Sequence, residues 1–318
     1  GIVDNNWNER VIKTTLARNS GEFDCVVLGS SHIMQISSIR NTGNIQQQCK
    51  NLLNLGVSGG SLEDLAIFSF IILNNPNLPK KVFIDIDPWT FKFGMDSRYG
   101  AYQFYYNEMN KILEEENNNK DKASYWSKIG KNIFNFQYFY YSLLTLTNNN
   151  DKTTTPSSLL SKNILYPLTS YDYTNGYIYP IILQDGSRVY AKDFILSHKN
   201  SNPFITATDK DANYKISGEI YDPNALKYFE KIISLYKKNG IDVKFIFTPY
   251  HPVLFKAGNI KPVTHMTEIE KITKNLTKSY NIKTYGSYSP EKVGCKNDDF
   301  FDAMHPTTPC LNKIKFSE

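Results

Sequence analysis

Three residues far apart in the 318-residue chain have the side chains that nucleophilic catalysis needs. Ser31 lies in the motif Gly-Ser-Ser-His (29–32), directly after an apolar run at 23–29. A serine hydroxyl is a weak nucleophile at neutral pH and needs a neighbouring base. Near the other end of the chain, Asp302 and His305 stand three residues apart, a spacing at which the carboxylate can orient the imidazole. The pattern predicts that His305 takes the proton from Ser31 and that Asp302 orients His305.

A glycine pair meets a second requirement of acyl chemistry, which is a set of N–H donors for the charge that develops on a reacting carbonyl oxygen. Gly59 and Gly60 occur in NLGVSGGS (54–61), and because they carry no Cβ the backbone can approach a ligand closely. The amide of Ser31, at the opening of the next element, is a further donor. We therefore predict an oxyanion hole formed by the N–H groups of Gly59 and Ser31. The alternative is that the glycines form only a flexible turn.

Three more side chains follow predicted strands and are candidates for contact with a substrate, namely His32, Trp89 and His251. His32 has the alternative of a hydrogen bond to a neighbouring loop. Asp85 and Asp87 close the third predicted strand and could bind a sugar hydroxyl, but two carboxylates are a thin ligand set for a metal ion. We predict no metal and no cofactor.

The elements that must position these residues alternate between strand and helix. Short apolar runs predict strands at residues 23–29, 51–56, 80–87, 242–249 and 281–286. Residues 61–73 predict a buried helix that starts with a capping box of Ser61 and Asp64, and residues 222–240 predict an amphipathic helix capped by Asp222. Alternation of this kind predicts an α/β three-layer sandwich around a central, mainly parallel sheet.

Two further features are a later helix and a long insertion. Thr267 and Glu270 have the spacing of a capping box, which predicts a helix beginning there. Residues 95–215 break the strand–helix pattern and are rich in Tyr, Asn and Ser, with an Asp185-Gly186 pair typical of a hairpin turn. We interpret residues 1–318 as one domain in which this insertion forms a subdomain or lid over the site.

The composition disfavours several classes of protein. The formal net charge is +5, 41% of the residues are hydrophobic, and no apolar run reaches the roughly 18 residues of a membrane span. Lys and Arg are interspersed, which argues against nucleic acid as a partner and gives a mild bias toward anionic surroundings. The chain begins at Gly1 with neither a methionine nor a visible signal peptide, from which we expect that an anchor or signal preceded it.

The four cysteines, Cys25, Cys49, Cys295 and Cys310, lack the spacing of a zinc site. They allow two disulfides in three connectivities, or four reduced thiols. A pair between 295 and 310 would close a short loop, and pairing would indicate an oxidising compartment.

In their order along the chain, these motifs resemble the SGNH (GDSL-type) hydrolase superfamily. In that family a Gly-Asp-Ser block carries the nucleophile, an Asn-x-x-x-Ser-Gly block carries an oxyanion glycine, and a late Asp-x-x-His-Pro block completes a triad. Here GSSH, NLGVSG and DAMHP match the three blocks, on Ser31, on Gly59, and on Asp302 with His305. The resemblance implies an SGNH- or flavodoxin-like sandwich.

Two positions depart from the family pattern. Ser30 stands where the family has Asp, and the strand at 80–87 ends without the Asn that gives the family a third oxyanion donor. The GSS opening and the DPW ending resemble a divergent branch. That branch includes the D-alanine-transfer protein of the teichoic acid pathway and the acetylation proteins of alginate and other bacterial exopolysaccharides.

This resemblance implies an extracytoplasmic, membrane-anchored or surface protein that moves acyl groups, expected here to be acetyl, through an acyl-serine intermediate. The implied partners are a surface glycan or wall polymer as acceptor and a membrane-embedded acyltransferase. The acceptor would be a sugar hydroxyl in an O-acyltransferase and water in a carbohydrate esterase, and the residues leave both open. The alternative is a catalytically inactive, SGNH-like glycan-binding module with the Tyr-rich insertion as its binding surface.

Overall fold

The structure, a computed structural model, describes residues 2–3, 9–40, 44–115, 175–208, 210–256 and 260–316. Within these residues the strands are β1 (Ile2–Val3), β2 (Cys25–Leu28), β3 (Leu52–Asn54), β4 (Lys81–Asp85), β5 (Ile181–Ile182), β6 (Arg188–Val189), β7 (Asp242–Phe247) and β8 (Lys283–Gly286). The helices are α1 (Glu9–Ala17), α2 (Leu62–Leu73), α3 (Gln103–Glu115), α4 (Lys192–Ser201), α5 (Pro223–Lys238), α6 (Val253–Lys256), α7 (Ile260–Tyr280), α8 (Pro290–Val293) and α9 (Thr308–Leu311).

Five strands form one parallel sheet in the order β3, β2, β4, β7, β8. The register pairs Cys25 of β2 with Leu52 on one side and with Lys81 on the other. Helices flank the sheet, so the fold is the α/β three-layer sandwich that the alternating pattern predicts. Because the strands run in the same direction, the loops that leave their carboxyl ends meet at one edge of the sheet.

Successive strand residues face opposite layers of the molecule. In β2, Val26 and Leu28 belong to the larger apolar cluster, to which α2, α3, α5 and α7 contribute. Cys25 and Val27 belong to a second cluster, which includes Phe316 near the end of the chain. All four residues of β2 are buried, and burial on both faces favours apolar residues at every position, which explains why this strand reads as a continuous apolar run.

Two of the three helices predicted with caps begin where the sequence places them. The Ser61 side chain accepts from the Asp64 N–H, and the Asp64 carboxylate accepts from the Ser61 N–H, which completes the capping box of α2. Every residue of α2 is buried, so this helix is apolar on all sides. The Asp222 side chain accepts from the Asn224 N–H at the start of α5.

The capping box predicted at Thr267 and Glu270 is wrong. Helix α7 begins at Ile260, and Thr267 lies inside it, where its hydroxyl donates to the Val263 carbonyl at 2.8 Å. Pro262 is tolerated in the first turn because an N–H at that position has no backbone carbonyl within the helix to donate to. Glu270 instead accepts from the Ser287 hydroxyl and so ties α7 to the loop after β8.

The described part of the predicted insertion contains the expected hairpin. β5 and β6 pair antiparallel, and the turn between them contains Asp185 and Gly186, with Gly186 at a φ of +76°. The Asp185 carboxylate accepts from the Ser37 hydroxyl at 2.6 Å and from the Ser38 N–H at 2.9 Å, which fixes the hairpin beside the chain that follows β2. Residues 116–174 of the predicted insertion lie outside the described residues, and the lid and single-domain assignments stay predictions.

Both disulfides form, and they resolve the choice that the sequence left open. Cys25 bonds to Cys49, and Cys295 bonds to Cys310 across 15 residues of sequence. Structural disulfides are typical of proteins that fold in an oxidising compartment. A search of the described helices finds none with the length and apolar character that a bilayer crossing requires.

The Cys295–Cys310 disulfide encloses the segment that carries Asp302 and His305, so its removal is expected to lower stability. Closing a loop of this length restricts the unfolded chain, and on the chain-entropy model the bond contributes about 3 kcal/mol. We expect the double substitution Cys295→Ser and Cys310→Ser to lower the free energy of unfolding by about that amount. Urea denaturation would measure the change, and an unaltered midpoint would contradict it.

Candidate active site

The candidate nucleophile sits on a tight turn that begins where β2 ends. Residues Ser31–Ile33 form one turn of 3-10 helix, and the Ser30 side chain caps it by accepting from the His32 N–H at 3.3 Å. Gly29 precedes the turn, and a Cβ at this position would lie 2.5 Å from the Cβ of Asp85. Only glycine therefore lets the chain leave β2 so close to β4 and present the Ser31 hydroxyl at the sheet edge.

The structure brings the three predicted triad residues together. The Ser31 Oγ lies 2.8 Å from the His305 Nε2, and the His305 Nδ1 lies 2.7 Å from the Asp302 Oδ2. The other carboxylate oxygen of Asp302 accepts from the N–H groups of Met304 and His305 at 2.9 and 2.8 Å. These contacts fix the rotation of the carboxylate, so Asp302 holds the imidazole with its Nε2 toward the serine.

The pair Asp302 and His305 also shifts the titration of both side chains. Burial raises the pKa of Asp302, but the charge of His305 and the hydrogen bonds from it outweigh burial and lower the pKa well below the usual range. Burial lowers the pKa of His305, and the Asp302 carboxylate more than offsets this, so the pKa of His305 is raised above its ordinary value. His305 is therefore a stronger base than a free imidazole.

Gln35 joins the nucleophile turn to the loop that carries the base. Its side-chain amide donates to the Pro306 carbonyl at 3.1 Å, and its oxygen accepts from the Thr308 hydroxyl at 3.0 Å. These two bonds link a residue just after Ser31 with the residues just after His305. The distance between the hydroxyl and the imidazole is thus set by side-chain contacts on both sides of the pair.

Asn54, at the end of β3, joins the nucleophile turn to the glycine loop in the same way. The Asn54 amide donates to the carbonyls of Ile33 and Ile36, and its oxygen accepts from the Gly56 N–H. The side chain is fully buried, and its hydrogen-bonding groups are used in these three contacts. It fixes the position of the loop that contains Gly59 relative to Ser31.

Asp87, in the loop after β4, contacts the nucleophile turn. The Ser30 hydroxyl donates to the Asp87 Oδ1 at 2.9 Å, so a carboxyl group lies behind this turn. The His32 Nδ1 also lies 2.9 Å from the Asp87 Oδ1, within the distance of an ion pair, and neither nitrogen of the His32 ring has a hydrogen-bond partner among the described residues.

His32, Asp85 and Asp87 form a buried cluster whose ligand-type atoms lie within 4.8 Å of one another. It is the group in the described residues whose composition and spacing could hold a metal ion. Burial raises the pKa of Asp85 well above its ordinary value, and the adjacent Asp87 carboxylate raises it further. Asp85 therefore binds its proton more tightly than a free carboxyl does. The Ser30 hydroxyl donates to Asp87 and the Thr248 hydroxyl donates to Asp85, whereas the Asp85 Oδ2 and both ring nitrogens of His32 have no hydrogen-bond partner among the described residues.

Gly59, the predicted oxyanion donor, lines the same cavity as Ser31 and His305. Its φ is +60°, and a Cβ there would lie 2.6 Å from the Arg98 Nη2 and 2.7 Å from the Asp96 Oδ2. A residue with a Cβ rarely adopts this positive φ, so the backbone conformation favours glycine here. Among the described residues, the N–H groups of Gly59 and Ser31 have no hydrogen-bond acceptor. Both are therefore free to donate to a ligand.

The three predicted substrate contacts lie beneath the site rather than in it, which corrects their assignment. His32, Trp89 and His251 are each no more than 2% exposed, and none lines the cavity next to Ser31. The Trp89 Nε1 donates to the Gly60 carbonyl at 2.8 Å, and the His251 N–H donates to the Ala303 carbonyl at 3.1 Å. Trp89 thus contacts the loop that contains Gly59 and Gly60, and His251 contacts the loop that carries His305.

A cavity of about 450 Å³ opens over Ser31 and His305. Tyr190, Phe194 and Tyr214 contribute aromatic surface to its wall, and all three belong to the segment predicted as an insertion. An aromatic wall suits the apolar faces of a sugar ring. The described part of the insertion thus borders the site.

Several supporting residues were missed by the sequence analysis. Asn54 is the first residue of the NLGVSG block, and Gln35 lies four residues after Ser31, so both were close to motifs already singled out. Asp96, Arg98 and Lys215 also border the glycine loop, but they come from irregular segments in which no spacing predicts a position.

Comparison of the sequence with models of known protein families finds no match. Comparison with curated proteins likewise finds no matching protein.

The raised pKa of His305 predicts a shifted pH dependence. A general base must be neutral, so reactivity of Ser31 is expected to rise with pH through a midpoint above the roughly 6.5 of free histidine. Asp302→Asn removes the negative charge that raises the pKa of His305, while the burial that lowers this pKa remains. The midpoint of the His305 titration should therefore fall below that of the wild type. Titration of the His305 ring by NMR would measure both midpoints, and equal midpoints would contradict the assignment.

Proposed function

We propose that this protein is a serine-dependent acyl-transfer enzyme that forms an acyl-Ser31 intermediate. The observation that carries the proposal is the unbroken chain of contacts from the Ser31 hydroxyl through His305 to Asp302. In this reaction the Ser31 oxygen attacks an acyl carbonyl while His305 accepts the hydroxyl proton. His305 then returns that proton to the leaving alcohol, which leaves the acyl group on Ser31.

The second half of the reaction transfers the acyl group to an acceptor. An acceptor hydroxyl gives its proton to His305 and attacks the acyl-serine, which restores free Ser31. The N–H groups of Gly59 and Ser31 would hold the oxyanion in both halves. The acceptor is a sugar hydroxyl in an O-acyltransferase and water in a carbohydrate esterase.

The substrate and the setting of the proposal rest on several supports. The aromatic residues beside the cavity suit a carbohydrate, and the two disulfides are compatible with an extracytoplasmic protein. The likeness of the motifs to SGNH hydrolases of the branch that modifies bacterial surface polysaccharides favours acetyl transfer to a surface glycan. The same likeness suggests a membrane-embedded acyltransferase as partner.

A glycan-binding module without turnover is the second candidate. The observation in its favour is the chain that follows β4, which reads Ile-Asp-Pro-Trp and offers no Asn as a third oxyanion donor. Loss of one such donor costs an enzyme about 10² to 10³ in rate. In this candidate the triad geometry persists but the transition state is too weakly stabilised for turnover.

A fluorophosphonate probe separates the two candidates. An enzyme is expected to become covalently labelled on Ser31 because the probe reacts with activated serines, and the modified peptide can be identified by mass spectrometry. Ser31→Ala should abolish labelling. The matched control is Ser279→Ala, which removes an exposed hydroxyl in α7 and leaves the nucleophile turn intact, and it should remain labelled.

Acetyl esters give the complementary measurement. Release of acetate from an acetylated oligosaccharide, dependent on Ser31, would support catalysis, and acetyl transfer to an added oligosaccharide would identify the transferase. A wild-type protein that binds oligosaccharide, resists the probe and leaves acetyl esters intact would overturn the enzyme proposal in favour of the binding module.

A further inference from the structure

We infer that three cationic side chains, Arg10, Arg98 and Lys215, hold the backbone carbonyls of the glycine loop and thereby aim the Gly59 N–H at the oxyanion. They are positioning residues, since they act through the backbone of the loop. The inference rests on the proposed function, because an oxyanion forms only if Ser31 attacks a carbonyl.

Side chains hold three successive carbonyls in this loop. The Ser58 carbonyl accepts from the Arg98 Nη2 at 2.6 Å and from the Arg10 Nη2 at 3.2 Å. The Gly59 carbonyl accepts from the Lys215 Nζ at 2.8 Å, and the next carbonyl accepts from the indole of Trp89. Such dense side-chain bonding fixes the orientation of each peptide plane.

The N–H groups on either side of Gly59 are also engaged. The Ser58 N–H donates to the Glu9 carboxylate at 3.0 Å, and the Gly60 N–H donates to the Val57 carbonyl at 3.0 Å. Among the described residues the Gly59 N–H is left without an acceptor. It is thus the N–H of this loop that remains available to a ligand.

The direction of the Gly59 N–H follows from the Ser58 carbonyl. The two groups belong to one peptide unit, no peptide bond among the described residues is cis, and in a trans peptide the N–H points opposite to the carbonyl. Because Arg10 and Arg98 hold the carbonyl on one side, the N–H faces the other. Rotation of this peptide would turn the donor away from its position and break both arginine contacts.

Asp96 joins the three cations into one network. Its carboxylate lies 2.6 Å from the Arg98 Nη2, 3.5 Å from the Lys215 Nζ and 3.8 Å from the Arg10 Nη2. Burial raises the pKa of Asp96, but hydrogen bonds from Arg98 and the neighbouring cations outweigh it and hold the pKa at about 2. The network therefore keeps its negative centre at any pH at which the enzyme would work.

The absence of a Cβ at position 59 is part of the same arrangement. A Cβ there would meet Arg98, Asp96 and the Tyr214 hydroxyl, each closer than 3.0 Å. The network is packed directly against the residue whose amide it directs. A fixed donor gains its advantage in the transition state because no reorientation is needed when charge develops.

Arg98 is the residue through which the inference can be tested. Its side chain is 49% exposed, so Arg98→Ala leaves little buried volume empty and should fold. Removal of a whole oxyanion donor lowers the rate by a factor of about 10² to 10³. Loss of the Arg98 hydrogen bond, which only positions that donor, is expected to lower the rate by about tenfold to a hundredfold. Arg98→Lys keeps the charge but loses the paired contact with Asp96, so its rate should lie between those of wild type and Arg98→Ala.

The readouts are the second-order rate constant for fluorophosphonate labelling of Ser31 and the kcat and KM for p-nitrophenyl acetate. We expect kcat and the labelling rate to fall in Arg98→Ala while KM is unchanged, since the interaction is made only in the transition state. The matched control is Lys80→Ala, which removes an exposed ion pair with Asp24 far from the loop in sequence and should behave as wild type. The thermal midpoints of Arg98→Ala and Lys80→Ala should agree.

Each other outcome counts against the inference. A wild type that resists the probe removes the proposed function and the inference with it. A wild type that is labelled, with Arg98→Ala labelled at the same rate, overturns the inference and leaves the proposed function standing. A fall in rate accompanied by a matching fall in thermal midpoint, with no recovery in Arg98→Lys, would show a role in folding rather than in positioning.

Discussion

The common direction of the five sheet strands is the constraint on which the site depends. Parallel strands deliver their following loops to one edge, so residues remote in sequence become neighbours. The loop after β2 brings the Ser31 hydroxyl, the loop after β3 brings the Gly59 amide, and the chain beyond β8 brings the His305 imidazole. Reversal of a single strand would take its loop, and one part of the chemistry, to the opposite edge.

Many of the side chains around Ser31 and His305 hydrogen-bond to the backbone of the loops that carry these residues and so fix the positions of the loops. Gln35 and Asn54 tie the nucleophile turn to the two loops beside it, and Trp89 secures the glycine loop from below. Asp87, in the loop after β4, accepts a hydrogen bond from Ser30 and so ties the same turn to a third element.

The fold and the three triad residues were predictable because they depend on residue type, period and order. Continuous apolar runs identify strands buried on both faces, and the Asp302–His305 spacing is local. The same reasoning misassigned His32, Trp89 and His251, because a position after a strand does not reveal whether a side chain enters the cavity or lies under it. The partners of Cys25 and Cys295 and the ionic network around Asp96 depend on distances between remote segments, which no local pattern encodes.

The separation of 274 residues between the hydroxyl and its imidazole has a consequence for how the chain is made. A polypeptide emerges from its amino end first, so Ser31 is exposed long before the residue that would activate it exists. During that interval the hydroxyl is as inert as any other serine. Under the proposed function, the hydroxyl would gain its reactivity only after the segment that carries His305 has been made and has folded against the turn of Ser31.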